Sequence, residues 1–408
     1  MRKNGKHTLV IDGNFFLFRT LHVLPPPAKG KLALDTKNDV AVYVRKLATD
    51  LTYQIRQFEG IIDQVVWTLD SRSWRKDFYP DAEYKGNRTE SSTLNWENFS
   101  HAIDEFKQIL HKKGIIISKV GGAEGDDLIY AWNTECMTLE KSVIMLTGDR
   151  DLIQLVHKNE DTGTHAILYS PIHKKLYTPQ GFTEWLNTET ESQSNDLFDV
   201  LKTQINIEEQ VKKHFHTITK TFDVIEINSI DFSFVKVLTG DGGDNVPSAY
   251  WYILTTNGKS RKYGISENKA VKIIDEFKHK HGPLSILYLF NKEYIDDLAN
   301  ITVKIMNAKY MSKETIVQNI INNVNLMILN SKTIPESILD EMFKHIESNI
   351  TKKSILSEVS TMNKLLEGTE YVKEASAKVS ASIFKNDSDD DDDFSFIKDK
   401  NNNTNSLF

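Results

Sequence analysis

Five carboxylates fall in two tight groups between Gly121 and Asp151: Glu124, Asp126 and Asp127, then Asp149 and Asp151. Glu124 and Asp127, three residues apart, repel one another on a helix unless a cation lies near them. Four more aspartates have similar settings. Asp12 ends the run LVID, Asp70 ends TLD, and Asp241 and Asp244 lie in the glycine-rich LTGDGGDN. Hard oxygen donors without His or Cys suit magnesium or manganese, not zinc or copper. One such ion uses one or two carboxylates plus waters. Nine carboxylates fit two ions about 4 Å apart, bridging a phosphodiester and activating water for in-line attack. Crowding so many acids without cations would drive their pKa values upward. A lone Asp at a helix start is ordinarily a cap. The set argues otherwise, because each acid ends a strand or lies in the turn after one.

Strand ends are needed to present such acids, and the sequence supplies them. HTLVIDGN at 7–14 reads as a buried strand, and Ile62–Leu69 as a second. Gly114–Ile117 makes a third and Val143–Leu146 a fourth. Helical spacing covers Asp39–Phe58, Asn98–Lys113 and the stretch opened by the Glu124 group, and Ala166–Tyr177 reads as a hairpin. Alternating strands and helices predict an α/β fold with a mostly parallel sheet, in which ligands bind beyond the carboxyl ends of the strands. Directly after Asp70, Arg72, Arg75, Lys76, Lys85 and Arg88 alternate with Trp74, Phe78, Tyr79 and Tyr84. At the mouth of a site this pattern suits gripping phosphates, with Tyr84 able to pack or to stack on a base. Residues 186–230 read as a polar, helix-compatible insertion. After the apolar run Phe232–Leu238 and the LTGDGGDN turn, Tyr263–Phe277 reads as a turn feeding a helix with lysines at its start. Residues 283–380 read as helical, and the chain from 385 is low in complexity and predicted to be disordered.

The 408 residues are 39% hydrophobic and 26% charged, the balance of a soluble globular protein. No apolar run approaches the roughly 20 residues of a membrane span, and no signal peptide is read at the start. One cysteine, Cys136, excludes an internal disulfide framework and a cysteine zinc site, and predicts an intracellular, cytoplasmic setting. The net charge of −7 says little about partners, because residues 387–408 hold seven Asp and two Lys. The remaining chain, its metal-binding acids set aside, is net basic.

Six short motifs in order, LVIDGN (9–14), TLD (68–70), EYKGNR (83–88), AEGDD (123–127), LTGDRD (146–151) and LTGDGGDN (238–245), resemble the 5′-nuclease (flap endonuclease) family of the PIN-like fold. SWRKDF at 73–78 and YSPIHKK at 169–175 are similar to its primer-removing bacteriophage branch, which acts in a host cytoplasm. The resemblance covers residues 7–278. It implies a PIN-like region at 1–230, with a helical arch at about 71–100 and an insertion at about 186–230. A helical region at 231–384 would include a duplex-binding hairpin at about 238–278, followed by an acidic tail at 385–408. The segment SAYWYILTTNGKSRKYG (248–264) interrupts that hairpin.

In this likeness two Mg²⁺ ions, with Mn²⁺ as substitute, are implied. Asp12, Asp70, Glu124, Asp126, Asp127 and Asp149 would surround the first, and Asp149, Asp151, Asp241 and Asp244 the second, largely through water. Lys85 and Arg88 would act on the scissile phosphate. Arg72, Arg75, Lys76, Tyr84, Lys269 and Lys272 would hold nucleic acid. The implied activity is a monomeric, metal-dependent 5′-to-3′ exonuclease or flap endonuclease that removes RNA primers from RNA–DNA duplexes during replication. Phe394-Ser395-Phe396-Ile397 and Ser406-Leu407-Phe408 in the tail resemble segments that bind single-strand-binding protein and a sliding clamp; the bland alternative is a solubilising tail. A PIN-type endoribonuclease should have fewer acids and a shorter chain. A non-catalytic DNA-binding scaffold should have lost some of the acids. A phosphatase needs Asp-x-Asp after the first strand, and Asp12 is followed by Gly-Asn.

Overall fold

Strand β1 (His7–Asp12) is buried along its whole length, and the rest of the sheet is laid out from it. In the computed structural model, residues 7–27, 30–87, 93–188, 199–256 and 259–354 are described, 199–207 by backbone alone. The chain leaves β1 into α1 (Gly13–His22) and α2 (Lys37–Arg56), and returns as β2 (Ile62–Thr68), parallel to β1. Only glycine fits at the first turn, since a Cβ on Gly13 would lie 2.1 Å from the Thr68 carbonyl oxygen. Short α3 (Arg75–Phe78) and α4 (Trp96–Lys112) lead to β3 (Ile116–Ser118), parallel to β2.

Next the direction of growth reverses. After α5 (Gly125–Thr138), β4 (Val143–Leu146) pairs in parallel with the other side of β1. Short β5 (His157–Lys158) precedes the hairpin of β6 (His165–Ser170) and β7 (Lys175–Pro179). Then come α6 (Phe182–Asn187), α7 (Asp199–Ile218) and β8 (Asp223–Ile227). The sheet order is β3-β2-β1-β4-β6-β7-β8, with β5 beside β6. The switch point of this order is between β1 and β4, where a crevice opens beyond the strand ends.

Alternating side chains give the sheet two apolar faces. Leu9, Ile11, Trp67 and Ile144 pack under α1, α2, α4 and α7. Val10, Val66 and Met145 pack under α5. The residues expected to be an insertion of no assigned role are part of this plan: β8 extends the sheet, and Val211, Phe215 and Ile218 of α7 complete the first core.

Four helices, α8 (Ser229–Thr239), α9 (Glu267–His281), α10 (Lys292–Met306) and α11 (Lys313–Met327), share a separate core. The connection from α8 to α9 carries a two-stranded ribbon, β9 (Trp251–Thr256) paired with β10 (Lys259–Gly264). Finally α12 (Glu336–Glu347) returns to the sheet domain, burying Leu339, Met342 and Ile346 against the α5 face. Among the described residues no helix is long and apolar enough to cross a membrane.

Of the helical arch expected at about 71–100, residues 88–92 lie outside the described residues. Before them the segment makes the four-residue α3, a 3₁₀ turn at Pro80–Ala82 and a loop to Asn87, folded down onto the acids. Pro80 disfavours helix at the residue before it, and the burial of Arg75 and Tyr84 draws the segment inward.

Candidate active site

Asp12 closes β1 and caps α1, its Oδ1 accepting from the Phe15 N–H at 3.0 Å and its Oδ2 from the Thr147 hydroxyl at 2.8 Å. Asp70, just after β2, accepts from the Gly125 N–H at 2.6 Å, which ties it to the first turn of α5 beside Asp126. Asp149 follows β4 and accepts from the Asp151 N–H at 2.8 Å, capping the short 3₁₀ helix there. Four carboxylates from four chain segments thus stand around the switch point.

These four disturb one another. Burial, then the charges of Asp149 and Asp70, push the Asp12 carboxyl up to about 7. Burial, then Asp149 and Asp12, raise Asp126 well above the usual carboxylate range. Asp70 and Asp149 are raised as well, chiefly by lost hydration among the surrounding groups, although both residues are exposed at the mouth of the crevice, which limits the effect. Among the described residues none of the four has a cation within ion-pair distance. Nor do any three acid or histidine side chains there already converge as a finished metal site. The donor set still fits a hard divalent ion: all oxygen, crowded by like charges, and only partly offset by Lys85 beside Asp70 and Asp126 and by Lys236 beside Asp149.

The other acids are already paired. Asp127 is fully buried and accepts from both Arg75 Nη atoms, at 2.9 and 3.1 Å. It also accepts from the Trp74 indole at 3.1 Å and the Glu124 N–H at 3.0 Å. Glu124 accepts from Arg75 at 2.9 Å, from the Tyr84 hydroxyl at 3.2 Å, and from the Lys85 ammonium. Burial alone would raise Glu124, but Lys85 and Arg75 outweigh it and hold its pKa low. On the other flank Lys236 bridges Asp151 at 2.7 Å and Asp241 at 2.8 Å. Burial and Asp149 push Asp151 up to about 8, whereas Lys236 overcomes burial at Asp241 and holds it at about 2. The two acids share the Lys236 ammonium between them.

The loop at 83–87 is fastened over this arrangement. The Lys85 N–H donates to the Asp244 carbonyl at 2.9 Å, and the Tyr84 hydroxyl to the Asp244 carboxylate at 3.0 Å. The Asn245 amide donates to the Glu83 carbonyl and the Asn87 amide to the Gly242 carbonyl, both at 3.1 Å. Glu83 and Lys85 both adopt left-handed backbone, with φ of 47° and 55°, a conformation that costs roughly 1–2 kcal/mol per non-glycine residue.

Residues 7–187 match the model of the 5′-3′ exonuclease N-terminal, resolvase-like domain. This segment belongs to that family.

The 5′-3′ exonuclease domain and its mixed, mostly parallel sheet with helices form the PIN-like 5′-nuclease fold. DNA polymerase I of Mycobacterium tuberculosis strain H37Rv is 33% identical over 149 residues, covering 36% of this chain and 15% of the polymerase. The 5′-3′ exonuclease of Bacillus subtilis is 24% identical over 279 residues, covering 67% of this chain and 72% of that protein. The chain thus spans only about a seventh of the mycobacterial polymerases it matches. Among solved structures, the bacteriophage T5 D15 protein co-crystallised with metal ions is 14% identical. It superposes with a TM-score of 0.43, over 92% of this chain and 99% of that one. The catalytic core of Rad2 with DNA substrate is also 14% identical, with a TM-score of 0.38 over 92% of each chain.

Within the exonuclease domain, the structure draws Asp12, Asp70, Asp126 and Asp149 together. Asp151, Asp241 and Asp244 stand on the flank, and Glu124 and Asp127 lie on the cationic side. Two residues expected to meet nucleic acid, Arg75 and Tyr84, and one expected to surround the first metal, Asp127, are placed differently. Arg75 is buried and bonded inward, Tyr84 is buried between Glu124 and Asp244, and Asp127 lies beneath the acids as the counter-ion of Arg75. Arg72 is exposed and paired with Asp77, and Lys76, Lys269 and Lys272 are exposed. Arg88 lies outside the described residues, as does the tail at 387–408. Lys236 and Thr147 were not anticipated. Lys236 lies five residues before Asp241 within an apolar helix, and nothing local signals that it also meets Asp151.

Proposed function

We propose that the protein is a metal-dependent 5′-to-3′ exonuclease or flap endonuclease that hydrolyses phosphodiesters near 5′ ends and removes RNA primers from RNA–DNA duplexes. The observation that carries this reading is the quartet Asp12, Asp70, Asp126 and Asp149, raised chiefly by burial and further by neighbouring carboxylates, with no described cation within ion-pair distance of any of them. These residues would hold magnesium or manganese, with Asp151, Asp241 and Asp244 placed for a second ion. Bound there, the metal would supply Lewis acidity and a water activated at neutral pH.

The chain's own groups set the rest. Thr147 and the Phe15 N–H fix the Asp12 carboxylate, and the Gly125 N–H fixes Asp70, so these donors need little reorganisation. Lys85 stands at the boundary between the acids and the basic segment. To stabilise charge on a phosphoryl oxygen, its ammonium must exchange Glu124 for the phosphate. Arg88 would assist from the same loop. Arg75 and Asp127 would hold the floor on which Glu124 and Tyr84 stand.

The test is a 5′-labelled RNA primer annealed to DNA and incubated with the protein and Mg²⁺. Release of short products from the 5′ end is expected. Asp70→Asn and Asp149→Asn should each lower the cleavage rate by at least a hundredfold while duplex binding persists. Normal cleavage by both variants would overturn the assignment.

A further inference from the structure

The connection that carries Asp241 and Asp244 also carries the β9–β10 ribbon, and the acidic site makes no use of it. All six residues of β10 are exposed, and three are cations: Lys259, Arg261 and Lys262. From Val246 to Ser266 the chain has no Asp or Glu. Among the described residues no carboxylate is ion-paired to any of the three, nor to the exposed Lys269 and Lys272 on the next helix. Among the described residues, the charge of this antiparallel ribbon meets no carboxylate.

Its root is rigid even though its body is exposed. Ala249, Tyr250 and Ile265 are buried in the helical core. The Ser248 hydroxyl accepts from the Ile265 N–H at 2.9 Å and donates to the Leu238 carbonyl at 2.9 Å, joining both strands to the end of α8. Asn319 and Asn323 of α11 donate to the carbonyls of Ala249 and Pro247, at 3.0 and 2.9 Å. Tyr252 stacks on Tyr263 across the ribbon, with ring centroids 5.3 Å apart, and on Tyr310 from the α10–α11 turn at 4.6 Å. On the other face the Lys262 ammonium lies 4.7 Å from the centre of the Trp251 ring. An isolated two-stranded ribbon is marginal in water. This one is held by its root and its aromatic stacks, which positions the cations of β10 with no described carboxylate to neutralise them.

We infer that the ribbon is a backbone clamp for double-stranded nucleic acid, with Lys259, Arg261 and Lys262 lying along the phosphates of the duplex whose end reaches the acidic site. This rests on the nuclease reading above and extends it to an element outside the exonuclease-domain match. Six residues at ~3.3 Å give each strand about 20 Å of reach, and a two-stranded ribbon fits the major groove of B-form DNA. Phosphate contacts hold a duplex in register without reading sequence. The ribbon therefore adds affinity for duplex whatever its bases, and leaves the chemistry to the acids.

The test compares full-length wild type with Lys259→Gln/Arg261→Gln/Lys262→Gln, and with a control, Lys107→Gln/Lys112→Gln/Lys353→Gln, that removes three charges at and near the opposite ends of the strands. Binding to a 5′-flapped DNA duplex is followed by fluorescence anisotropy in EDTA, where no divalent metal remains to support cleavage, over a range of salt. The ribbon variant should lose at least tenfold in affinity at low salt. Its slope of log affinity against log salt should be shallower by about 2–3, at roughly 0.9 per lost phosphate contact. The control should bind within threefold of wild type. Equal binding and slope for the folded ribbon variant and wild type would overturn the proposal, as would equal losses in ribbon variant and control. Cleavage by wild type in Mg²⁺ is measured in parallel. Absence of cleavage overturns the nuclease reading alone, whereas normal cleavage with unchanged ribbon-variant binding overturns the ribbon alone.

Discussion

Arg75 directs its described hydrogen bonds into the protein: Nε to the Leu326 carbonyl at 2.8 Å, and its two Nη atoms to Glu124 and Asp127. A buried charge pair contributes little net stability while whole, but removing one partner leaves the other charge stranded, typically costing 3–5 kcal/mol. Arg75→Met should therefore lower the thermal midpoint by several degrees or more, and Asp149→Asn should not, because it removes one charge from a repelling group. Thermal unfolding in EDTA distinguishes them. An Arg75→Met protein as stable as wild type, but weak in duplex binding, would make Arg75 a phosphate contact after all. This division of labour was only half legible in the sequence. Asp126 and Asp127 are adjacent acids in one motif, and neighbouring positions in the first turn of a helix point about 100° apart. Which faces the crevice and which faces Arg75 depends on a partner some fifty residues away in the chain.

At the scale of elements, the central strands were legible because buried parallel strands are short apolar runs, and β1, β2 and β4 each lead into an acid, Asp12, Asp70 and Asp149. The helical coverage of the first sheet face was not, since α7 and β8 come from polar, half-buried sequence. What α7 covers includes a histidine pair. His7 and His165 lie with Nε2 atoms 3.2 Å apart, and the His165 ring is surrounded by Phe182, Trp185 and Phe215. Burial lowers the pKa of His165 from 6.5 to about 4, and that of His7 well below its ordinary value. As pH falls, the unfolded chain gains these protons first. Stability that is complete above pH 6.5 is thus lost between about 6.5 and 4, by about 3 kcal/mol for His165 at ~1.36 kcal/mol per unit. Asp12, raised to about 7, works with the opposite sign: its folded form takes up the proton first, so it adds stability as pH falls from 7 toward the ordinary carboxylate range. His165→Gln isolates the histidine contribution. Its thermal midpoint should fall less than that of wild type between pH 7 and pH 5, and equal falls would show that the histidines are not held neutral by the fold.

Across the whole molecule, the acidic quartet comes from four segments of the sheet domain, while Asp241 and Asp244 arrive from the helical region. Lys236 of α8 already ties Asp151 to Asp241 across that junction, and α12 closes the opposite side by packing on α5. The docking of α12 was not legible, because an amphipathic period specifies an apolar face but not which face it meets. The assembled molecule holds mutually repelling carboxylates in place with rigid strand ends, so folding works against a repulsion that a bound divalent cation would relieve. A ligand that binds only the folded state stabilises it by about 2.7 kcal/mol at a hundred times its dissociation constant. Millimolar Mg²⁺ should therefore raise the thermal midpoint of the wild-type protein without any nucleic acid present. Asp12→Asn/Asp149→Asn should reverse the ordering: it should unfold at or above the wild-type temperature in EDTA, yet gain little from Mg²⁺. The ribbon variant, whose charges lie outside the quartet, should keep the full magnesium shift. If the wild type shows no shift, or the double variant keeps it, the quartet is not the cation site, and the repulsion among its members must be relieved by protons instead.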